Sequence, residues 1–82
     1  MDKIINVSVP CYRELSIRFE SGLEGTITID DQFYGVAKPL EDPQLFATAH
    51  SIDEGMAIGF NGTPYDICGE YIRQLISQQV HA

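Results

Sequence analysis

Cys11, Cys68, His50 and His81 are the side chains with the widest chemistry in this chain of 82 residues. A cysteine beside a histidine can act as a thiolate nucleophile, because the imidazole takes the thiol proton. Two of each could also make a tetrahedral zinc set. The spacing supports neither use. No C-x-x-C pair occurs and no Cys or His pair has metal-ligand spacing. Neither cysteine has local features that favour its thiolate. Both are therefore expected as buried free thiols rather than as a disulfide, a metal site or a nucleophile. His50 falls near the expected end of a helix, where a positive charge would meet the negative pole of the dipole. His81 is penultimate and expected to fray.

The carboxylates lead to the same place. Asp30-Asp31, Glu41-Asp42 and Asp53-Glu54 all stand at expected turns or caps. Adjacent residues of a strand point to opposite faces, so none of these pairs is a natural acid/base dyad. A solvated turn is the role expected of each. Asp66 stands just before the last helix, where its plain role is to organise the helix entry. No catalytic residue, metal ligand or cofactor-binding residue is expected, and the chain reads as a non-enzyme.

Residues 59–67 read GFNGTPYDI and allow three interpretations. Asn61-Gly62-Thr63 is a glycosylation acceptor triplet, as is Asn6-Val7-Ser8, but the start MDKIINVSVP has no secretory character and a cytoplasmic location is expected. A phosphate-holding loop would want further glycines and an immediate helix. Pro64 and an extended piece postpone the helix instead. Asn61-Gly62 is therefore read as a two-residue hairpin turn, with the positive φ angles such turns need.

The elements that position these residues follow from periodicity. Ile5, Val7 and Val9 alternate with polar residues, and so do Leu15, Ile17 and Phe19, as in half-buried strands. A turn with two glycines, at 21–25, precedes the β-branched strand Thr26-Ile27-Thr28-Ile29, completing an antiparallel meander. Residues 30–35 read as a turn or short helix, and 36–40 as a connector. Asp42-Pro43 opens a short helix through about His50, with aspartate as cap and proline at the first position. A second hairpin follows, with Met56, Ile58 and Phe60 facing inward. The last helix runs over about 69–79, with Ile72, Leu75 and Ile76 on one stripe. The fold class expected is α+β in a single domain: a small antiparallel meander, a second hairpin, a short middle helix and a C-terminal helix.

In order, Phe19-Glu20-Ser21-Gly22, Gly25-Thr26-Ile27-Thr28-Ile29-Asp30, Pro39-Leu40-Glu41-Asp42-Pro43, Asn61-Gly62 after an aromatic, and Asp66-Ile67 form a series over roughly residues 3–76. This series resembles the bacterial family called domain of unknown function 2442, related to the amino-terminal domain of a Nitrosomonas protein. Phe60 stands where that family usually has tryptophan, and Cys68-Gly69 where it commonly has Ser or Asp followed by Pro. The resemblance implies a small α+β domain of the bacterial cytoplasm with no established reaction. It also implies relatives with an added helix-turn-helix, and others paired with small proteins as in toxin-antitoxin modules. No DNA-binding addition is expected after the single terminal helix.

Charge narrows the partners. The net charge is -7 and the five cations Lys3, Arg13, Arg18, Lys38 and Arg73 are scattered, which argues against direct contact with nucleic acid. The longest uncharged run, residues 55–65, is too short to span a bilayer. If the apolar set of each strand faces the helices, the outward set includes Ser16, Arg18, Thr26, Thr28, Ala57 and Gly59. Much of this set is small and uncharged around Ala57-Gly59, and it forms the candidate interaction surface, the alternative being a solvated sheet face. The expected function is a small interaction or adaptor module, self-associating as a homo-oligomer or holding a small partner protein. A ligand binder or enzyme using Cys, His or Asp66 is one alternative. A component of a transcriptional or toxin-antitoxin-like regulator is the other.

Overall fold

The computed structural model describes residues 2–80. Six strands form two antiparallel sheets of three strands each, and two α-helices accompany them. In the first sheet β1 (Ile4–Ser8), β2 (Glu14–Phe19) and β3 (Glu24–Thr28) lie in sequence order. The second sheet orders β4 (His50–Ile52), β5 (Ala57–Phe60) and β6 (Thr63–Cys68) in the same way. The α+β expectation holds, with the meander and the second hairpin in their expected places.

β2 obeys its alternation: Leu15, Ile17 and Phe19 are buried, while Ser16 and Arg18 face the other side. β1 departs from it. Ile4 pairs with Phe19 and Asn6 with Arg18, so Ile5 is an extra residue in the ladder. Such a bulge changes the phase of the strand. Ile4 consequently takes the buried position and Ile5 is left 57% exposed, contrary to the expectation that Ile5 faces inward.

Between the sheets, residues 35–41 form a tight 3₁₀ segment where a plain connector is expected. α1 (Pro43–Phe46) is only four residues long, shorter than the expected helix. Its start is as read: the Asp42 carboxylate accepts from the Gln44 N–H at 2.9 Å, with Pro43 in the first turn. The chain then turns into β4, so His50 begins a strand and meets no helix dipole. Pairing with β5 has overridden the local helical tendency, as tertiary context commonly does.

α2 (Gly69–Val80) packs on β3, β5 and β6, burying Ile72 and Ile76 and half-burying Leu75. Gly69 is the first residue of the helix, and its otherwise orphaned N–H is satisfied by the Met56 carbonyl at 2.8 Å. One core joins all parts. Leu15, Ile17 and Phe19 from β2, Leu40 and Phe46 from the connection, Ile58 from β5 and Ile72 and Ile76 from α2 are all nearly inaccessible to solvent.

Asn61 and Gly62 join β5 to β6, with Phe60 opposite Thr63. Only Gly62 takes a positive φ, +82°, whereas the doubly left-handed turn expected of Asn-Gly would place Asn61 there too. A single glycine at the second central position is the requirement of a type II turn. Gly62→Val is expected to cost on the order of 1 kcal/mol or more, because a β-branched residue resists this conformation. A thermal melt unchanged from the parent would refute the assignment.

Candidate functional site

The first sheet turns a polar face away from the core. Ser16 stands opposite Thr26, Arg18 opposite Glu24, and Thr28 opposite Glu14. The hydroxyls of Ser16 and Thr26 are 3.2 Å apart. The Arg18 Nε donates to the Glu24 carboxylate at 2.8 Å, in an ion pair whose partners are both more than half exposed. A pair so solvated contributes at most about 1 kcal/mol. A shallow depression on this face includes Asn6 of β1. Arg18, Thr26 and Thr28 are exposed and Ser16 is half-buried, so four of the six expected surface residues share one open face.

Ala57 and Gly59 do not join them. Both are buried, in the central strand of the other sheet. A Cβ built on Gly59 would lie 3.0 Å from two carbons of Ile52, so the neighbouring strand's side chain covers the place that was expected to be open. A central strand flanked on both sides can be enclosed on both faces, and β5 is buried along its whole length.

The candidate chemical groups are dispersed. Cys11 lies in the turn after β1 and Cys68 at the end of β6, and both are free and exposed rather than buried. Desolvation, followed by the neighbouring Glu14 carboxylate, pushes the Cys11 thiol up, away from the reactive thiolate. The His50 Nδ1 is 2.7 Å from the Thr48 carbonyl. His81 lies outside the described residues. Among the described residues no group of three or more His, Cys, Asp or Glu comes together as a metal site. Asp66 is exposed on β6 opposite Gly59. The three acidic pairs do fall at turns, caps or strand ends.

A second surface escapes a reading by strand alternation. Each sheet has two outer strands: β1 and β4 lie against each other, while β3 and β6 form the other edges, with α2 packed beneath both. Between them runs a trough lined by Ile29, Asp30, Asp31, Tyr65, Ile67 and Tyr71. It continues past Asp31 and Tyr65 to Gln32 and Tyr34. Tyr34 and Tyr71 are 71% and 51% exposed, while Tyr65 is half-buried and stacks on Phe60. Burial, then Asp31, Tyr71 and Asp66, push the Tyr65 phenol up. Arg13 braces the segment after β3. Its guanidinium donates to the Ile29 carbonyl at 3.0 Å and the Asp31 carbonyl at 2.8 Å, and stacks over the Phe33 ring. The only sequence signal for this trough is that Tyr34, Tyr65 and Tyr71 each stand within three residues of an acid.

No described helix is long and apolar enough to cross a membrane. Compared with family models, curated proteins and solved structures, the chain has no match.

Proposed function

We propose that this chain is a non-enzymatic interaction module of the bacterial cytoplasm, acting by self-association or by holding a small partner protein. The observation that carries the reading is the pair of sheet edges at β3 and β6, in a chain of 82 residues. Outer strands present backbone N–H and C=O groups that can pair with another chain, here at Thr28 and Asp66, since the Thr26 carbonyl already accepts from the Gln79 amide and residues 35–41 pack on β6. A domain this small has a modest core and gains stability by mass action from whatever binds its folded state. The face of Ser16, Arg18, Thr26 and Thr28 adds an open surface of mostly short side chains. The resemblance to domain of unknown function 2442 agrees with this role and with a place in a toxin-antitoxin-like pair. In such a pair the chain would meet protein rather than DNA, since a net charge of -7 opposes phosphate contacts.

Light scattering across a dilution series is expected to show a homo-oligomer, most simply a two-fold dimer. A strict 9.1 kDa monomer at high concentration would remove self-association and leave the partner protein as the remaining form of the reading. A monomer that also binds no protein or peptide would end the reading altogether.

A further inference from the structure

The trough between β3 and β6 has three properties that together define an occupant. The first is backbone. The Ile29 N–H donates to the Arg13 carbonyl on the β2 side, so the N–H and C=O of Thr28 turn to the open side. Likewise the Gly69 N–H donates to Met56 on the β5 side. In the same register Ile67 pairs inward, and the N–H and C=O of Asp66 turn away from β5. An extended chain can add to such an edge.

The second property is the floor. Ile29, Ile67, Leu75 and the rings of Tyr65 and Tyr71 offer apolar and aromatic contact. The enclosed part holds about 230 Å³, less than the roughly 300–1,000 Å³ of pockets for small molecules and suited to one or two side chains.

The third property is charge. Asp30 and Asp31, the acids that line the trough, form no salt bridge among the described residues, whose ion pairs are Arg18–Glu24, Lys38–Glu41 and Arg73–Asp2. Arg13, the cation alongside, has its guanidinium engaged by two backbone carbonyls. A lysine or arginine in the trough would meet unpaired carboxylates and tyrosine faces at once. A second copy of this chain is a poor source, having five cations against twelve acids.

Building on the interaction-module reading, we propose that the β3–β6 trough binds an extended basic segment of another protein. Its backbone pairs with the edge of β6 at Asp66, its apolar side chains lie on the floor, and its Lys or Arg side chains reach Asp30 and Asp31.

The probe is a fluorescein-labelled peptide of alternating lysine and valine, with a glutamate–valine peptide as control. Fluorescence anisotropy with the full chain is expected to show saturable binding of the lysine peptide alone. Asp31→Asn and Tyr71→Ala, both at exposed positions, are expected to weaken it about tenfold each, as for residues that anchor an interface. Circular dichroism confirms that the variants fold. Amide chemical shifts in the parent should change at residues 28–31, 65–67 and 71. No saturable binding, equal binding of both peptides, or variants without effect would each overturn the proposal. Shifts confined to Ser16, Arg18 and Thr26 would also overturn it while leaving the interaction-module reading in place. That broader reading falls only with the monomeric, partnerless outcome of the scattering and binding experiments.

Discussion

Phe46→Ala is expected to lower the unfolding free energy by about 3–5 kcal/mol, the usual cost of emptying a large buried aromatic site. Phe46 is fully buried and is the joint at which separate parts of the chain meet. Its ring lies 5.5 Å from that of Tyr12, nearly perpendicular, and 5.4 Å from that of Phe60. Phe33 approaches at 6.3 Å. These three partners come from the β1–β2 turn, the second sheet and the segment after β3, so no single neighbour can move in to fill the space. Natural domains hold only about 5–15 kcal/mol in all, and one this small belongs toward the lower end. Urea unfolding followed by circular dichroism should show a midpoint near zero denaturant or no folded baseline. A loss below about 1 kcal/mol would mean that the core closes over the site, contrary to this packing.

The second large effect is expected from a single methyl group. Gly55 has φ +87° in the turn between β4 and β5, and a Cβ there would lie 2.8 Å from the Ile4 carbonyl oxygen and 3.1 Å from the Ile4 nitrogen. Both obstacles are backbone, so neither can rotate aside. β1 and β4 lie side by side at this point, and the contact is where the first sheet meets the second. Gly55→Ala therefore combines left-handed strain with overpacking and is expected to cost about 2–4 kcal/mol. Gly22→Ala is the matched control. Gly22 has φ +97° but nothing within 4 Å of its would-be Cβ, so that variant carries the conformational part alone. Thermal melts of the two should differ clearly, and equal melting temperatures would show that the Ile4 contact yields at little cost.

A clamp at the N-terminal end shows how side chains tie distant segments where the sheets do not. The Asp2 carboxylate accepts from the Ser21 N–H at 2.9 Å and from the Arg73 Nε at 3.2 Å. The Ser21 hydroxyl, its backbone N–H and Arg73 together hold the Asp2 carboxyl below its usual range, against some desolvation. The start of the chain is thereby joined to the β2–β3 turn and to α2.

Much of the fold is legible in the sequence because local rules and tertiary packing agree there. β2 alternates without a fault, the terminal helix carries one apolar stripe, Asp42-Pro43 caps α1 through its own side chain, and Gly62 supplies the left-handed residue of its turn. Periodicity, capping and turn chemistry act between near neighbours, so sequence alone determines them. Other features depend on residues far apart in the chain. The bulge that expels Ile5 arises from pairing with Phe19 and Arg18, and His50 enters a strand because β5 is there to receive it. Ala57 and Gly59 are small and alternate as an open strip would, yet Ile52 of the adjacent strand covers Gly59 and the enclosed central strand buries both. The trough is a tertiary product too, because Asp31, Tyr65 and Tyr71 meet only when β3, β6 and α2 converge. Sequence thus determined the elements and the acidic, cation-poor character of the chain. Tertiary structure alone decided which faces stay open, because exposure depends on what packs from elsewhere.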